Sequence, residues 1–313
     1  MPDTEVDTRA GAPPAERAGA AAAGPRPRGG GRLRGRGALL AALAPALLVL
    51  AVFYFFPMLS VLAAAFTHPK PGLQNFAWFF GQEVNTEVLW RTIRISFGVM
   101  LVCVATAFPF AYLMTVATPG VRRLLMLAVL VPFLTSTVVR TFAWVILLQD
   151  AGPLGAAAAL FGVERLGLMR TPSAVFIGMA QVLLPFVVLP MYSTMSKIDR
   201  RLLTAAESLG ATPARAFASI YLPLALPGVA AGALLSFVMA LGFYITPAML
   251  GSSRETFLST LIQGQVQGLG QWGHGAVIAL MLLAATGAIL AAAAAIGRRG
   301  GQPVTSMVGG SKA

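Results

Sequence analysis

The stretch LTAAESLGATPARAFASIYLPLALPG, Leu203–Gly228, decides the fold of this chain because it is a polar segment between two long apolar runs. Good helix formers fill Asp199–Leu209, and Gly210 stands where a helix ends on a left-handed residue. Thr212 and Pro213 then fit the N-cap and the first helical position of a second helix. The stretch therefore predicts a helical hairpin that turns at a glycine.

Two prolines, Pro223 and Pro227, stand at the far end of this stretch. Proline lacks the N–H that a helix needs, and its ring meets the carbonyl four residues earlier. We therefore expect the chain to break or kink there, just before the next apolar run.

The composition identifies a membrane protein. Of the 313 residues, 57% are hydrophobic and only 11% are charged, whereas a soluble domain carries about 25% charged residues. The net charge of +12 comes from arginines that crowd residues 1–37 and flank the apolar runs. That distribution is typical of topology signals rather than of a nucleic-acid surface, so no nucleic-acid partner is expected.

Six apolar runs are each about long enough to cross a bilayer core of ~30 Å as a helix. They are Ala38–Leu62, Ile93–Val116, Leu125–Leu148, Ala174–Met195, Gly228–Leu250 and Gly275–Ile296. The sequence thus predicts an all-α polytopic protein with six transmembrane helices, the first of them over 38–66. The basic Ala/Gly/Pro-rich segment 1–37 lacks large apolar residues, and we expect it to be a disordered tail.

The lysines and arginines also predict the orientation. An amino terminus on the inside places most of them on the inner side, as the positive-inside rule requires. Both termini, the carboxyl-terminal tail 298–313 and the hairpin are then cytoplasmic. The outer loops are Thr67–Trp90, Gln149–Pro172 and Gly251–His274.

No catalytic or metal-binding constellation is visible in the sequence. The two histidines, His68 and His274, are far apart, and the single cysteine Cys103 lies in an apolar run. No GxxxxGK[ST] motif occurs, so the chain has no P-loop for ATP. We expect a protein that is not an enzyme and holds no cofactor itself, with any ATP and Mg²⁺ bound by a separate subunit.

Three residues are candidates for a pathway or gate lining: Arg140, Phe243 and Tyr244. An arginine inside a membrane costs about 2.5–3.5 kcal/mol on insertion scales, which calls for a partner or a wet cavity. Arg140 either lines a pore or snorkels and caps the carbonyls of a neighbouring helix. Phe243 and Tyr244 lie in a breakable helix segment and either line a path or pack ordinarily.

The hairpin resembles the EAA loop of ABC importer permeases, whose pattern is Glu-Ala-Ala, three residues, Gly, nine residues, Ile, one residue, Leu-Pro. The residues at matching spacings are Ala205, Ala206, Gly210, Ile220, Leu222 and Pro223. The position of the family's leading Glu is occupied by Thr204 here, while Glu207 follows the alanine pair. Both residues therefore remain candidates for the polar contact to the ATPase. The implied ATPase-coupling residues are Thr204, Ala205, Ala206, Glu207, Gly210, Ala211 and Thr212.

Three further segments look like parts of spermidine/putrescine-type permeases: Pro132–Leu148, Arg170–Asp199 and Ala240–Gly251. The resemblance implies a type I, binding-protein-dependent ABC transmembrane domain over 91–297, holding helices 2–6 and a coupling hairpin at about 199–222. It also implies alternating access in a bacterial inner membrane.

The same resemblance implies three protein partners: an ABC ATPase dimer, a second related permease that forms a heterodimer with this chain, and an extracytoplasmic solute-binding protein. The implied solute is a polyamine. An amino-acid-like compound, a phosphonate or an iron complex stays open as the solute, and a secondary carrier stays open as another class. The absence of Asp and Glu from the six runs speaks against a proton-driven carrier.

Overall fold

The computed structural model describes residues 43–163 and 165–299, with side chains as far as residue 295. The tail expected over 1–37 and most of the one expected over 298–313 lie outside these residues. The chain divides into two compact units, Met1–Pro57 and Met58–Ala313. In the described part of the first unit, residues 43–57 are helical and largely exposed.

Throughout the described residues the regular structure is helical. In chain order the helices are α1 (Leu43–Thr67), α2 (Gln74–Gly81), α3 (Glu83–Val116), α4 (Pro119–Leu134), α5 (Thr137–Leu148), α6 (Pro153–Ala159), α7 (Pro172–Met195), α8 (Arg201–Ser208), α9 (Pro213–Leu241), α10 (Ile245–Leu250), α11 (Leu258–Gln263) and α12 (Trp272–Arg299). Short π-helical turns interrupt α1 at Ala51–Phe55 and α9 at Phe217–Tyr221.

Six helical segments among the described residues are long and apolar enough to cross a membrane, as the sequence predicts. They are α1, α3, α7, α9, the first part of α12, and α5 together with α6 (Thr137–Ala159). The number of spans is therefore confirmed, but the bounds predicted for three of them are wrong. The second span begins at Glu83 rather than at Ile93, and the third and fifth differ more extensively.

The third apolar run, predicted as one helix over Leu125–Leu148, is two helices that separate at Thr135 and Ser136. The Thr135 Oγ1 donates to the Pro132 carbonyl at 2.7 Å. A side-chain hydroxyl that satisfies a backbone carbonyl competes with the continuing helix, which is the physical reason for the break.

The prolines Pro223 and Pro227 do not break the chain, because α9 runs on from Pro213 to Leu241. Of the two predicted outcomes, a break or a kink, the break is therefore wrong. In the π turn ahead of Pro223, the Leu222 N–H donates to the Phe217 carbonyl five residues earlier. The wider turn shifts the carbonyls that the proline ring would otherwise meet. The predicted fifth helix Gly228–Leu250 instead ends at Leu241, and α10 follows as a separate helix.

The main core lies where α3, α7 and α9 pack together. Two glycines of α9 four residues apart, a spacing that suits close helix packing, allow the close approach. A Cβ at Gly232 would lie 3.0 Å from the Val187 carbonyl oxygen, and one at Gly228 would lie 2.7 Å from the Thr194 Cβ. A second core joins α2, α11 and α12 around Phe79 and Leu258.

Candidate functional site

The hairpin predicted from the sequence is present as α8, a turn at Gly210 and the first residues of α9. Gly210 has φ +90°. Its N–H donates to the Glu207 carbonyl at 2.9 Å, and the Ala211 N–H donates to the Ala206 carbonyl at 3.0 Å. These two bonds make a Schellman motif, which closes a helix on a left-handed glycine. The sequence therefore specifies this turn through one glycine.

The second arm of the hairpin also begins as predicted. The Thr212 Oγ1 accepts from the Arg215 N–H at 3.3 Å, and Pro213 occupies the first turn of α9. The N-cap at the start of α9 and the Schellman motif at the end of α8 together fix the angle between the two arms of the hairpin.

Most of the predicted coupling residues lie at the surface of the hairpin. Thr204, Ala205, Glu207, Gly210 and Thr212 are exposed. Ala206 and Ala211 are half-buried.

Sequence reasoning missed an apolar residue at the tip of the hairpin. The side chain of Leu209 is 90% exposed. A leucine so fully presented at a turn is available to fill a pocket on a partner. The signal for it was the position itself, since Leu209 immediately precedes the glycine of the turn.

Aromatic rings fasten the hairpin to the end of α3. Tyr112 of α3 meets Phe217 and Tyr221 of α9 edge to face, with ring centroids 5.5 Å and 5.3 Å apart. Phe217 and Tyr221 stack on each other at 5.1 Å. We call Tyr112, Phe217 and Tyr221 the aromatic clasp. The hairpin runs directly into α9, and the clasp also joins it to the membrane-spanning helix α3.

A polar bond adds to the clasp. The Arg200 Nη2 donates to the Thr115 Oγ1 at 3.1 Å, so the chain entering α8 is also tied to the end of α3. Neither Arg200 nor Tyr112 was among the residues that the sequence singled out, because nothing local to either residue announces a contact with so distant a segment.

Thr204 and Glu207, the two candidates for the polar contact with the ATPase, lie at the same cavity. Thr204 and Glu207 line a hollow of about 210 Å³ with Tyr112, Arg200, Leu203 and Tyr221. Three residues along an α-helix correspond to a rise of about 4.5 Å and nearly one turn. The two side chains therefore lie on the same side of α8, and both line this cavity.

The predicted pathway residues lie on two elements that contact each other. Arg140 belongs to the first turn of α5, and Phe243 and Tyr244 stand at the break between α9 and α10. Next to Arg140, the Thr141 Oγ1 lies 3.0 Å from the Thr246 Oγ1 of α10, and both threonines are fully buried. This hydroxyl pair joins the two elements.

Arg140, Phe243 and Tyr244 differ in how far their polar groups are satisfied by hydrogen bonds. The Arg140 Nη2 donates to the Thr135 carbonyl at 3.0 Å, across the break between α4 and α5. The Arg140 Nε and Nη1 are buried and have no hydrogen-bond partner among the described residues. Phe243 and Tyr244 are half-buried, and the Ser259 Oγ donates to the Phe243 carbonyl at 2.6 Å.

The two histidines, distant in sequence, line one cavity of about 290 Å³. His274 stacks on Trp78 with ring centroids 3.7 Å apart. Within 43–163 and 165–299, no group of three or more His, Cys, Asp or Glu side chains is placed to hold a metal ion. Cys103 is fully buried in the main core.

The comparisons with known proteins agree on one family. A family model described as "Binding-protein-dependent transport system inner membrane component" matches residues 107–299, which include the hairpin. The chain is 31% identical to the spermidine/putrescine transport system permease protein PotB of Escherichia coli K12, over 77% of this chain and 91% of that protein. PotB of Haemophilus influenzae is 30% identical over 77% and 83%.

Solved structures show the same fold. One chain of a bacterial alginate ABC transporter, in complex with an alginate pentasaccharide-bound periplasmic protein, matches with a TM-score of 0.72 at 18% identity, over 87% of this chain and 98% of that chain. A chain of the inward-facing MetNI methionine ABC transporter matches with a TM-score of 0.51 at 19% identity, over 68% and 94%.

Proposed function

Because this chain belongs to the family of binding-protein-dependent transport system inner membrane components, we propose that it forms one half of a translocation pathway for a polyamine, spermidine or putrescine. The chain is a multi-pass inner-membrane permease subunit of a type I ABC importer. The observation that carries the choice of solute is the 31% identity with a spermidine/putrescine permease, which extends over 77% of the chain. We assign residues 91–297 to the transport domain.

A polycation calls for carboxylates, and the described membrane helices supply few of them. None of α7, α9 or α10 contains an aspartate or glutamate. We therefore assign first recognition of the polyamine to an extracytoplasmic solute-binding protein. A second, related permease completes the pathway as a heterodimer and provides further acidic groups.

Energy reaches this chain through the hairpin. Without a P-loop, the chain relies on a separate ATPase dimer that binds ATP and Mg²⁺. We place the hairpin and both termini on the cytoplasmic side, with Leu209 inserted in a groove of the ATPase and Glu207 as the polar contact. Such a helix-in-groove contact needs an apolar anchor and a charged partner for register.

Motion then passes along connected elements. The second arm of the hairpin is the start of α9 itself, so a displacement of the hairpin moves a membrane-spanning helix without an intervening loop. The aromatic clasp carries the same displacement to α3. Closure of the ATPases would draw the hairpins of the two permeases together and open the pathway outward, and ATP hydrolysis would reset it, as a rigid-body switch.

The test is purification of the tagged chain from native membranes in mild detergent, followed by mass spectrometry and transport assays. We expect an ATPase and a second permease in the eluate. Proteoliposomes of this complex, with ATP inside and the solute-binding protein outside, should accumulate labelled spermidine or putrescine. Accumulation of a phosphonate, an iron complex or an amino acid instead would replace the solute. Gradient-driven flux by the chain alone would contradict the whole assignment.

A further inference from the structure

The end of the membrane helices opposite the hairpin carries an open cavity of about 410 Å³. We call it the cup. Arg170, just before α7, lines one side, and α10 with residues 251–260 lines the other. Since α7 ends at Met195, next to the hairpin, and spans 24 residues, its first turn lies about 36 Å away at the other end of the helix. The cup is therefore remote from the ATPase contact.

The backbone holds Arg170 in a costly conformation. Its φ is +58°, and it is the only non-glycine residue with positive φ among those described. Left-handed backbone at a bulky residue persists where the surrounding structure enforces it, often at functional sites. Here the Arg170 N–H donates to the Leu250 carbonyl at the end of α10, at 3.1 Å. The bond fixes the arginine to the other wall of the cup.

Hydroxyl groups line the rest of the polar surface. The Thr260 Oγ1 is buried without a hydrogen-bond partner among the described residues, and Ser252, Ser253 and Thr256 line the same cavity. A buried hydroxyl without a partner is costly in an isolated protein and marks a place where a ligand group can bond.

The charge of the cup is positive. The side chain of Arg170 forms no ion pair within the described part of the chain. Arg254 is exposed and follows the lining residue Ser253, but it does not itself line the cavity. Glu255, next to the lining residues, is only 7% exposed and accepts from the Ser252 N–H at 2.7 Å and from the Ser252 hydroxyl. On the side of Arg170, the Asp150 Oδ1 accepts from the Gly167 N–H at 2.9 Å. The charge of Glu255 is thus engaged in the turn of the backbone, and the Arg170 guanidinium, which lines the cavity, remains for a ligand.

We propose that the cup receives an aspartate or glutamate side chain of the solute-binding protein when that protein docks. Arg170 pairs with the carboxylate, and the Thr260 hydroxyl donates to it. The inference rests on the proposed function, which supplies the docking protein, the outward position of the cup and a cationic solute that a guanidinium repels. The anionic group that the cup fits therefore comes from the docking protein and not from the solute.

The test titrates the reconstituted complex with the solute-binding protein that supports uptake, and measures stimulated ATP hydrolysis. The informative variant is Arg170→Gly, because glycine adopts φ +58° without strain and the loop keeps its path. We expect the half-saturating concentration of binding protein to rise about tenfold or more, with basal hydrolysis unchanged. Thr260→Val, of nearly the same shape, should raise it by a smaller factor.

The matched control is Arg165→Ala, which removes an exposed arginine of the same loop that does not line the cup. It should leave the half-saturating concentration unchanged. An Arg170→Gly complex that saturates at the wild-type concentration would overturn the inference while leaving the proposed function intact. A wild-type complex without ATP-driven uptake would instead refute the proposed function, and the inference would fall with it.

A photo-crosslinking amino acid at position 253 identifies the occupant directly, because Ser253 is exposed at the cup. Crosslinks to the binding protein, lost in high salt, support the proposal because exposed charge pairs are screened. Crosslinks to the second permease alone would assign the cup to the interface between permeases and overturn it.

Discussion

The ring of Tyr112, near the end of α3, lies edge to face against the ring of Tyr221 in α9, with centroids 5.3 Å apart. The two residues belong to different membrane helices, and Tyr221 is also part of the hairpin that we assign to the ATPase. An aromatic contact of this kind stabilises by about 0.5–1.5 kcal/mol beyond the area it buries. The pair therefore connects the proposed ATPase contact with the helices that form the main core.

Loss of the ring at Tyr112 should weaken this connection. Tyr112→Ala removes the contacts with both Phe217 and Tyr221, so we expect ATP hydrolysis to continue while the number of solute molecules imported per ATP falls several-fold. The ratio of uptake to hydrolysis in proteoliposomes measures the effect. Tyr112→Phe keeps both rings in contact and serves as the control. A wild-type ratio in Tyr112→Ala would show that the clasp does not transmit the motion.

The turn of the hairpin should depend on glycine at position 210 for conformation alone. No atom lies within 4 Å of the site of a Cβ at Gly210, yet its φ is +90°. Gly210→Ala therefore costs roughly 1–2 kcal/mol through backbone strain and meets no clash. We expect a several-fold weaker association with the ATPase in detergent, measured by pull-down of the labelled ATPase.

Gly120→Ala provides the matched comparison. Gly120 likewise has no atom within 4 Å of its Cβ site, but it lies in α4 with ordinary φ. The substitution should leave ATPase association unchanged. Equal loss in both variants would argue that the assay reports general damage rather than the turn.

The carboxylate of the hairpin should tolerate a move of one turn. Glu207→Gln removes the negative charge from the cavity that Thr204 shares, and we expect ATPase association to fall about tenfold or more, because hydrogen bonds to charged groups contribute about 1.5–3 kcal/mol. Adding Thr204→Glu to this variant should restore most of the association. Association would be measured by titration of the ATPase in nanodiscs.

A control variant and a failed rescue would each test whether positions 204 and 207 serve the same contact. Ser208→Ala, a neighbour on α8 that does not line the cavity, should have no effect on association. If the Thr204→Glu change failed to rescue Glu207→Gln, the two positions would not serve the same contact.

Close packing of α9 on α7 should be sensitive to a single methyl group. A Cβ at Gly232 would lie 3.0 Å from both the Val187 carbonyl oxygen and its Cγ1, and backbone cannot retreat as a side chain can. Gly232→Ala should therefore destabilise the protein by about 1–3 kcal/mol. The measurement is the unfolding midpoint in detergent. Gly287→Ala in α12, with no atom within 4 Å, should show little change, and an equal fall in both would refute the packing account.

The pathway prediction for Phe243 and Tyr244 can be tested by thiol labelling. Cysteine at either position should react with a small water-soluble thiol reagent, and spermidine should slow the reaction. The native Cys103 is fully buried and should give no background. Leu283→Cys, which is exposed on the side of α12, should stay unreactive if that side faces lipid. Labelling of Phe243→Cys and Tyr244→Cys that spermidine does not affect would remove these residues from the pathway.

The hairpin shows how much of the structure can be predicted from local sequence. Gly210, Thr212 and Pro213 predict the turn and the second helix because caps and left-handed glycines act over only a few residues. The six spans could also be predicted, since the length of an apolar run is read directly from the sequence. The family resemblance rests on this hairpin and on the segments Pro132–Leu148, Arg170–Asp199 and Ala240–Gly251.

The sequence by itself determined the class of protein, the number of spans and the hairpin, because each depends on composition or on neighbours along the chain. The tertiary structure alone decided the break at Thr135, the unbroken path through Pro223, the aromatic clasp and the cup at Arg170. Helices that are apolar on every side carry little periodicity to tell which face packs. The partners of Tyr112 and Arg170 come from segments far away in sequence, so only the folded chain brings them into contact.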